Sequence, residues 1–419
     1  MEQVATKISE LKLLAEGKTK QIFDLSHEQQ HAVLVRSKDS LTAFNAKRRD
    51  EVEGKSTSAN RTTCNNFNLL KACGVPTHFV REGPGENEFV AENCAMVPIE
   101  WVARRVATGS FLKRNPGVPE GYVFAPLKIE TFFKDDANDD PQWSDEQILT
   151  KNFVFNGRNI GYAEVRLMKR LTEIVFRILE RAWQTASCTL VDLKIEFGVT
   201  KSGALKVADV IDNDSWRVWP NGDKRLQLDK QFYRDLSQVT DDALKELKKN
   251  YDKVAELTGN FLHKESFGRV VIIMGSKADG EFAATIQNKA AKLGITRVEK
   301  HVCSAHKTTA EALELITRFE ADNLPTVFIC IAGRSNGLGP VVAANSTLPV
   351  INAPPCGPDW AAQDVWSSLR MPSGIGCATV LGADEAALAA AKILGSNDHI
   401  IFGKILAAQY ENVASVLEA

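Results

Sequence analysis

Two patterns of apolar and polar positions divide the chain. From residue 11 to about 130 short apolar runs are broken by polar residues and turns, as in "KLLAEGKTKQIFDL", "HAVLVRSKD", "THFVREG" and "EFVAENCAMVPIEWVARRVATG". Such runs predict hairpins and an antiparallel sheet. Apolar residues at three- and four-residue steps predict helices at 57–73 and at 161–187, "YAEVRLMKRLTEIVFRILERAWQTAS". This half is α+β. A charged helical stretch follows at 228–262, then the polar hinge "HKESFG". Beyond it "RVVIIMGS" is apolar throughout and ends in Gly-Ser, "ADGEFAATIQNKAAKLG" reads as a helix closed by glycine, and "TRVEKHVCSAH" reads as another strand. "TVFICIAGRSNGLGPVVAANS" repeats the order of strand, glycine loop and helix. Apolar strands alternating with helices predict a second, three-layer α/β domain with a parallel sheet. The boundary is expected near 264, with a linker near 258–268, giving domains 1–263 and 264–419. Ligands of parallel sheets sit at the carboxyl ends of the strands, where both glycine-rich loops lie.

Composition narrows the classes. With 51 basic and 53 acidic side chains the net charge is -2, so no global field gathers nucleic acid or acidic lipid, and an anionic ligand needs a local cluster. No charged-then-apolar leader opens the sequence, and no apolar run approaches the roughly 20 residues that cross a bilayer, so a cytoplasmic protein without a membrane anchor is expected. The eight cysteines are scattered with no C-x-x-C pair, and read as reduced and mostly buried. The acidic stretch "DDANDDPQWSDEQ" (135–147) reads as a solvated loop without chemistry.

Candidate chemistry in the first half begins at the turn "EGKTKQIF", where Lys18 and Lys20 follow Gly17. Lysines in a hairpin turn are weak evidence alone. The strand "VDLKIEFGV" strengthens it, since alternation displays Asp192, Lys194 and Glu196 on one face, and "VADVIDNDSWRVWP" adds Asp209, Asp212 and Asp214. Crowded carboxylates repel unless a cation lies among them, and hard oxygen donors suit magnesium with nucleotide phosphates. An ion-pair ladder on a solvated sheet face would display the same residues. In "WVARRVATGSFLKR" Arg104, Arg105 and Ser110 around Gly109 suit a phosphate or carboxylate, or merely a basic strand before a helix. The glycine-punctuated "KDSLTAFNAKRRDEVEGKSTSAN" reads as a loop. In the second half Ser276 and Asp279 fall at a helix start, where N–H groups favour an anion. His306 and Lys307 follow a strand, and Ser335 lies in "AGRSNGLGP".

"EGKTKQIF", "KDSLTAFN", "GKSTSAN", "RRVATGSF", "DLKIEFG" and "DNDSWR" together resemble SAICAR synthetase, the purine-pathway ligase that joins L-aspartate to carboxyaminoimidazole ribotide (CAIR) with ATP. The resemblance covers residues 8 to about 255 and implies a two-lobed ATP-binding fold. It places Lys18 and Lys20 on the ATP phosphates, Glu196 and Asp209 on Mg2+, Lys194 near the phosphates with Asp192 on the same strand, and Asp214 as the base toward the incoming amine. Arg104, Ser110 and Arg217 match ribotide-phosphate contacts. Trp216 departs from the small residue that many bacterial members carry beside Arg217. "MGSKAD", "CSAHK", "AGRSNGLGP", "PVINAPP" and "DVWSSLRMPSGIGCATV" resemble the PurE-like aminoimidazole ribotide (AIR) carboxylase, over residues 268 to about 410. By that resemblance Ser276, Asp279 and Lys307 hold the ribotide phosphate or nearby groups. His306 moves the proton at the carboxylated carbon, and Lys307 and Ser335 border a CO2 pocket, with no biotin. Ala278 stands where relatives have a serine, a loss on the order of 1 kcal/mol of phosphate hydrogen bonding, and Thr308-Thr309 replace a Gly-Pro or Thr-Pro pair. The order of the halves resembles the bifunctional animal family that makes CAIR from AIR and CO2, then SAICAR. It implies small-molecule substrates and a homo-oligomer, an octamer. Two other readings stay open here: a ligase with a non-catalytic C-terminal assembly domain, and a nucleotide-binding protein whose carboxylate face is structural.

Overall fold

The computed structural model describes residues 11–43, 48–235, 239–356 and 361–418. They form two compact units, Met1–Leu262 with Ala407–Ala419, and His263–Leu406.

In the first unit a five-stranded antiparallel sheet runs in the order Leu13–Glu16, Lys20–Asp24, Ala32–Ser37, Glu88–Glu92, Phe79–Glu82. Its apolar face buries Phe23, Leu34 and Val90. A second antiparallel sheet is built on the strand Cys188–Thr200, which changes partners along its length. Ile99–Val106 and Trp216–Pro220 flank its first half, and Leu205–Ala208 and Cys94–Met96 its second. Alternation explains why one strand serves two purposes. Leu193, Ile195 and Phe197 are buried on one side, and the helix Tyr162–Thr185 packs on this strand with Leu167, Leu171, Ile174 and Ile178 buried at helical spacing. Asp192, Lys194 and Glu196 are left on the opposite side.

Several local expectations change. The charged stretch at 228–262 is two helices, Gln231–Asp235 and Asp241–Thr258, the second capped by the Thr240 hydroxyl. The stretch read as a loop at 38–60 contains the hairpin Ser40–Ala43 with Arg48–Glu51, and the helix Lys55–Cys73 starts directly after Gly54, whose φ is 74°. The acidic stretch 135–147 is not a free loop, because Trp143 pairs with the strand Val123–Phe133 and stacks on Phe133 with centroids 4.1 Å apart.

The second unit is a parallel sheet in the order Arg297–Val302, Arg269–Met274, Thr326–Ile331, Val350–Asn352, Ala378–Thr379. Val270 and Ile272 enter one apolar layer with the helices Gly280–Lys292 and Ala383–Leu394, while Val271 and Ile273 enter another with Thr309–Glu320. Burial on both faces is why these strands lack polar alternation. The edge strand Arg297–Val302 is the exception, with Glu299 and Lys300 exposed. The strand order reverses at Arg269–Met274, so the crevice at its carboxyl end is a topological switch point. No helix among the described residues is long and apolar enough to cross a membrane.

Candidate active sites

In the first unit a cavity of about 580 Å³ lies on the polar face of Cys188–Thr200, with Arg104, Ser110, Asp192, Lys194, Asp214 and Arg217 among its lining residues. Register brings one end together, since Asp192 faces Arg104 on one neighbouring strand and Arg217 on the other. Arg104 donates Nη1–H to the Asp192 carboxylate at 2.6 Å and Nε–H to Glu130 at 2.5 Å, and Arg217 pairs with the same Asp192 oxygen. Asp192, 5% exposed, therefore fixes two guanidinium planes beside Ser110. A side chain on Gly109 would come within 2.7 Å of the Arg217 guanidinium, so this turn, at φ 60°, requires glycine. Arg105 is not part of this group. Alternation turns it to the other face, where it pairs with Glu180 at 2.6 Å.

At the other end Lys194 Nζ lies 2.7 Å from Glu196, 3.5 Å from Glu100 and 3.8 Å from Asp209. Lys134 reaches the second Glu196 oxygen at 2.8 Å, and Lys20 pairs with Asp209. Asp209 follows Leu205–Ala208 in the left-handed region, φ 66°, beside Glu196 across the ladder. The buried His78 ring, pushed down to about 3 by burial and therefore neutral, hydrogen-bonds the Asp209 carbonyl at 3.0 Å. Burial would raise the Glu196 carboxyl, yet Lys194, Lys134 and Lys20 outweigh it and hold it at about 2. Burial lowers Lys20 to about 8 against the pull of Glu196, with Lys194 and Lys134 pushing the same way. Lys194 is raised, because Glu196 and Glu100 overcome its burial. Lys18, by contrast, is exposed and paired at 2.8 Å with Asp136 of the acidic stretch.

Asp214 accepts from Tyr251 at 2.5 Å and Lys230 at 2.9 Å, with Lys55 at 3.8 Å. Burial opposes its ionisation, but Lys230 and Lys55 hold it well below the usual carboxylate range, and beside it Asp212 is raised by burial and by the Asp214 charge. The structure thus joins Lys20, Lys194, Glu196 and Asp209 in one cluster and Arg104, Asp192 and Arg217 in another. Sequence reasoning missed Lys134, Glu100, Lys55, Lys230 and Tyr251. It also missed that Asp139 and Asp140, in the stretch read as free of chemistry, line the cavity.

In the second unit three loops converge at the carboxyl end of the sheet. Ser276 and Asp279 form a capping box, in which Ser276 Oγ accepts from the Ala278 N–H at 3.2 Å and the Asp279 carboxylate accepts from the Ser276 N–H at 3.0 Å. Burial raises the Asp279 carboxyl. The N–H groups of His306 and Lys307 both donate to Ser304 Oγ at 3.3 Å, leaving these two side chains exposed. A side chain on Gly337 would lie 2.9 Å from His306 Nε2, so the imidazole rests against that loop's backbone. Ser335, at φ 43°, lies two residues away. The loops after Arg297–Val302 and Thr326–Ile331 therefore meet over the end of the strand between them.

Each half of the chain matches a known family. Residues 13–251 match the SAICAR synthetase family and residues 269–414 the AIR carboxylase family. The chain is 57% identical over 417 residues to the probable multifunctional protein ADE2 of Caenorhabditis elegans, covering 100% of this chain and 98% of that protein. It is 50% identical to the Homo sapiens bifunctional phosphoribosylaminoimidazole carboxylase/phosphoribosylaminoimidazole succinocarboxamide synthetase, over 97% and 96% of the two chains. Among solved structures a type-2 SAICAR synthetase in complex with ADP, 29% identical, superposes with a TM-score of 0.50 over 58% of this chain and 98% of its own. With both domains present in the order of those relatives, the chain belongs to the bifunctional phosphoribosylaminoimidazole carboxylase/SAICAR synthetase family of purine biosynthesis.

Proposed function

We propose that the second unit carboxylates AIR with CO2 to CAIR, and that the first joins CAIR to L-aspartate with ATP, giving SAICAR, ADP and phosphate. The observation that carries the ligase assignment is the single cavity with paired guanidiniums at one end and Lys194 at the other. Arg104, Arg217 and Ser110 bind the ribotide phosphate, with Asp192 holding both forks in plane. Lys20 and Lys18 bind the ATP phosphates, Lys18 leaving Asp136 to do so. Lys194 stabilises charge on the phosphoryl group as it moves to the CAIR carboxylate. The amine of aspartate then attacks the acyl phosphate, the C–N bond forms and phosphate leaves. The attacking nitrogen becomes strongly acidic as that bond forms, so an ionised but weakly basic Asp214 suffices to take its proton.

Glu196 and Asp209, the residue after Glu196's ladder partner Ala208, are ionisable oxygen donors, which fits a magnesium ion needing one or two carboxylates beside nucleotide phosphates. Among the described residues no group of three or more acidic, His or Cys side chains is placed to hold a metal, so Glu196 and Asp209 would hold the ion together with nucleotide phosphates. Mg2+ bound there neutralises phosphate charge during transfer.

In the second unit the exocyclic amine of AIR makes the ring carbon electron-rich, so it adds to CO2 without biotin, and His306 removes the ring proton. Ser276 and Lys307 hold the ribotide phosphate, and Ser335 and Lys307 border the CO2. Asp279, an acceptor when ionised, suits the ribose hydroxyls better than the phosphate. We place the functional boundary near 264. A cytoplasmic homo-oligomer, an octamer as in the AIR carboxylase resemblance, accords with Trp366 and Leu369 standing 58% and 51% exposed on the second unit. The reading with a silent C-terminal half is disfavoured, because residues 269–414 match the carboxylase family throughout.

Substitutions separate the two ends of the cavity. Arg217→Ala raises KM for CAIR about tenfold or more with KM for ATP nearly unchanged, and Lys20→Ala does the reverse. Parallel changes in both constants for both variants would contradict the assignment. Lys20 also sets a pH limit. It binds phosphate as a cation and, held at about 8, loses its proton as pH rises through that value, so kcat/KM for ATP is level well below pH 8 and falls as pH rises through it. Lys20→Arg, always protonated, keeps a flat profile past pH 9 whatever its absolute rate. An identical fall in both proteins would assign the titration to another group.

A further inference from the structure

We propose that the segment Asp364–Ser368 is a cradle that fixes the loop Ser335–Gly337 and so aims His306, making Asp364, Ser367 and Ser368 positioning residues for the carboxylation. The inference rests on the carboxylase reading above and extends it to residues that reading does not use.

The contacts run in sequence order on both sides. The Asp364 carboxylate accepts from the Ser335 N–H at 2.6 Å, Ser367 Oγ accepts from the Asn336 N–H at 2.9 Å, and Ser368 Oγ accepts from Asn336 Nδ2 at 2.9 Å. Ser367 Oγ also donates to the Asp364 carbonyl at 2.7 Å, which locks the cradle on itself. Beneath it the Ser368 carbonyl accepts from Thr379 Oγ1 at 2.6 Å and from Asn352 Nδ2 at 3.4 Å, so it is anchored to the ends of two sheet strands. Asn336 and Ser368 are buried, and Asn336 Oδ1 accepts from the Gly339 N–H at 3.1 Å, tying the loop to the helix that follows.

This bracing acts on a strained stretch. Ser335 sits at φ 43°, which a residue with a Cβ seldom adopts, and the Gly337 N–H donates back to the Ser335 carbonyl at 2.6 Å. The result is a tight turn whose outer surface is Gly337, and the His306 imidazole lies on that surface. His306 is exposed on a loop after an edge strand, so the Gly337 backbone is a wall that limits its rotamers. A charge-assisted bond from Asp364 to Ser335 N–H therefore controls, at one remove, where the imidazole nitrogen points. Catalysis by a positioned base is sensitive to such displacement, and about 1 Å can cost on the order of a hundredfold.

The test uses the full-length chain and its two reactions. Asp364→Ala should lower kcat for CAIR formation about tenfold or more with KM for AIR within about twofold. Asp364→Asn, which keeps an acceptor oxygen for the Ser335 N–H, should recover most of the rate. SAICAR formation from supplied CAIR, and the melting temperature, should be unchanged in both. Ser367→Ala should give a smaller loss of the same kind, and serves if Asp364→Ala does not fold. Wild-type rates in both alanine variants would overturn the cradle alone. Equal losses in Asp364→Ala and Asp364→Asn, with a lowered melting temperature, would show a merely structural role and also overturn it. A wild-type protein that makes no CAIR would overturn the carboxylase reading, and the cradle with it.

Discussion

Glu196→Ala should lower ATP-dependent SAICAR formation by about a thousandfold, the equivalent of ~4 kcal/mol of transition-state stabilisation, and leave CAIR formation from AIR unchanged. Glu196 is 2% exposed and is the acceptor shared by Lys194 and Lys134, with Lys20 close enough to lower its pKa. Removing it deletes a proposed magnesium ligand and leaves three ammonium groups with less opposing charge. The protonation of Lys20 changes too. Glu196 supports the charged form of Lys20, so without it the value near 8 falls and the alkaline limb of the ATP profile moves to lower pH. Glu196→Gln keeps the shape and one acceptor oxygen, so it separates loss of charge from loss of packing, and should be nearly as inactive. The carboxyl is depressed in the folded protein. Its ion pairs therefore add stability above the ordinary glutamate range, and lose it as pH falls toward about 2. The variants should accordingly melt lower at neutral pH, and the gap should close in acid. A variant retaining more than a tenth of wild-type SAICAR formation would return the carboxylate face to a structural ion-pair ladder.

His306→Asn should lower CAIR formation by about 10² to 10⁴, the range contributed by a positioned general base, while SAICAR formation from supplied CAIR continues at the wild-type rate. Asparagine retains a polar side chain against Gly337 but cannot take the ring proton. The intact ligase activity provides a control for folding of the rest of the chain. Gly337→Ala should resemble it in kind, because the added Cβ would meet the imidazole at 2.9 Å and displace it. A loss of less than about threefold in His306→Asn would move the proton transfer to another group.

Period-2 alternation made the polar face of Asp192, Lys194 and Glu196 legible in the sequence, because a strand with one buried side must display its other residues together. The same rule separates Arg104 from Arg105, yet those two read as one basic cluster when taken only as neighbours. Lys134, Lys55, Lys230 and Tyr251 were illegible for a different reason: each reaches the site from a separate element, and no local pattern marks its direction. Lys55 offered the best available signal, a Gly-Lys pair at a helix start resembling the Gly17-Lys18 turn. The acidic stretch misled because charge was taken as solvation, whereas Trp143 stacked on Phe133 and a short strand pairing fix it beside the cavity. In the second half the glycine loops announced a strand-end site. The Asp364–Ser368 segment that braces one of them carries no signature, because its part is played through hydrogen bonds to backbone N–H groups 29 to 31 residues away.

A paired assay on the intact chain tests the two-reaction assignment most directly. AIR and bicarbonate are supplied with and without aspartate, ATP and magnesium, and CAIR and SAICAR are followed separately. CAIR should form in both mixtures, independent of ATP, and SAICAR only in the complete one. SAICAR that forms only when CAIR is added from outside would contradict it, and would leave the second unit without the carboxylation assigned to His306.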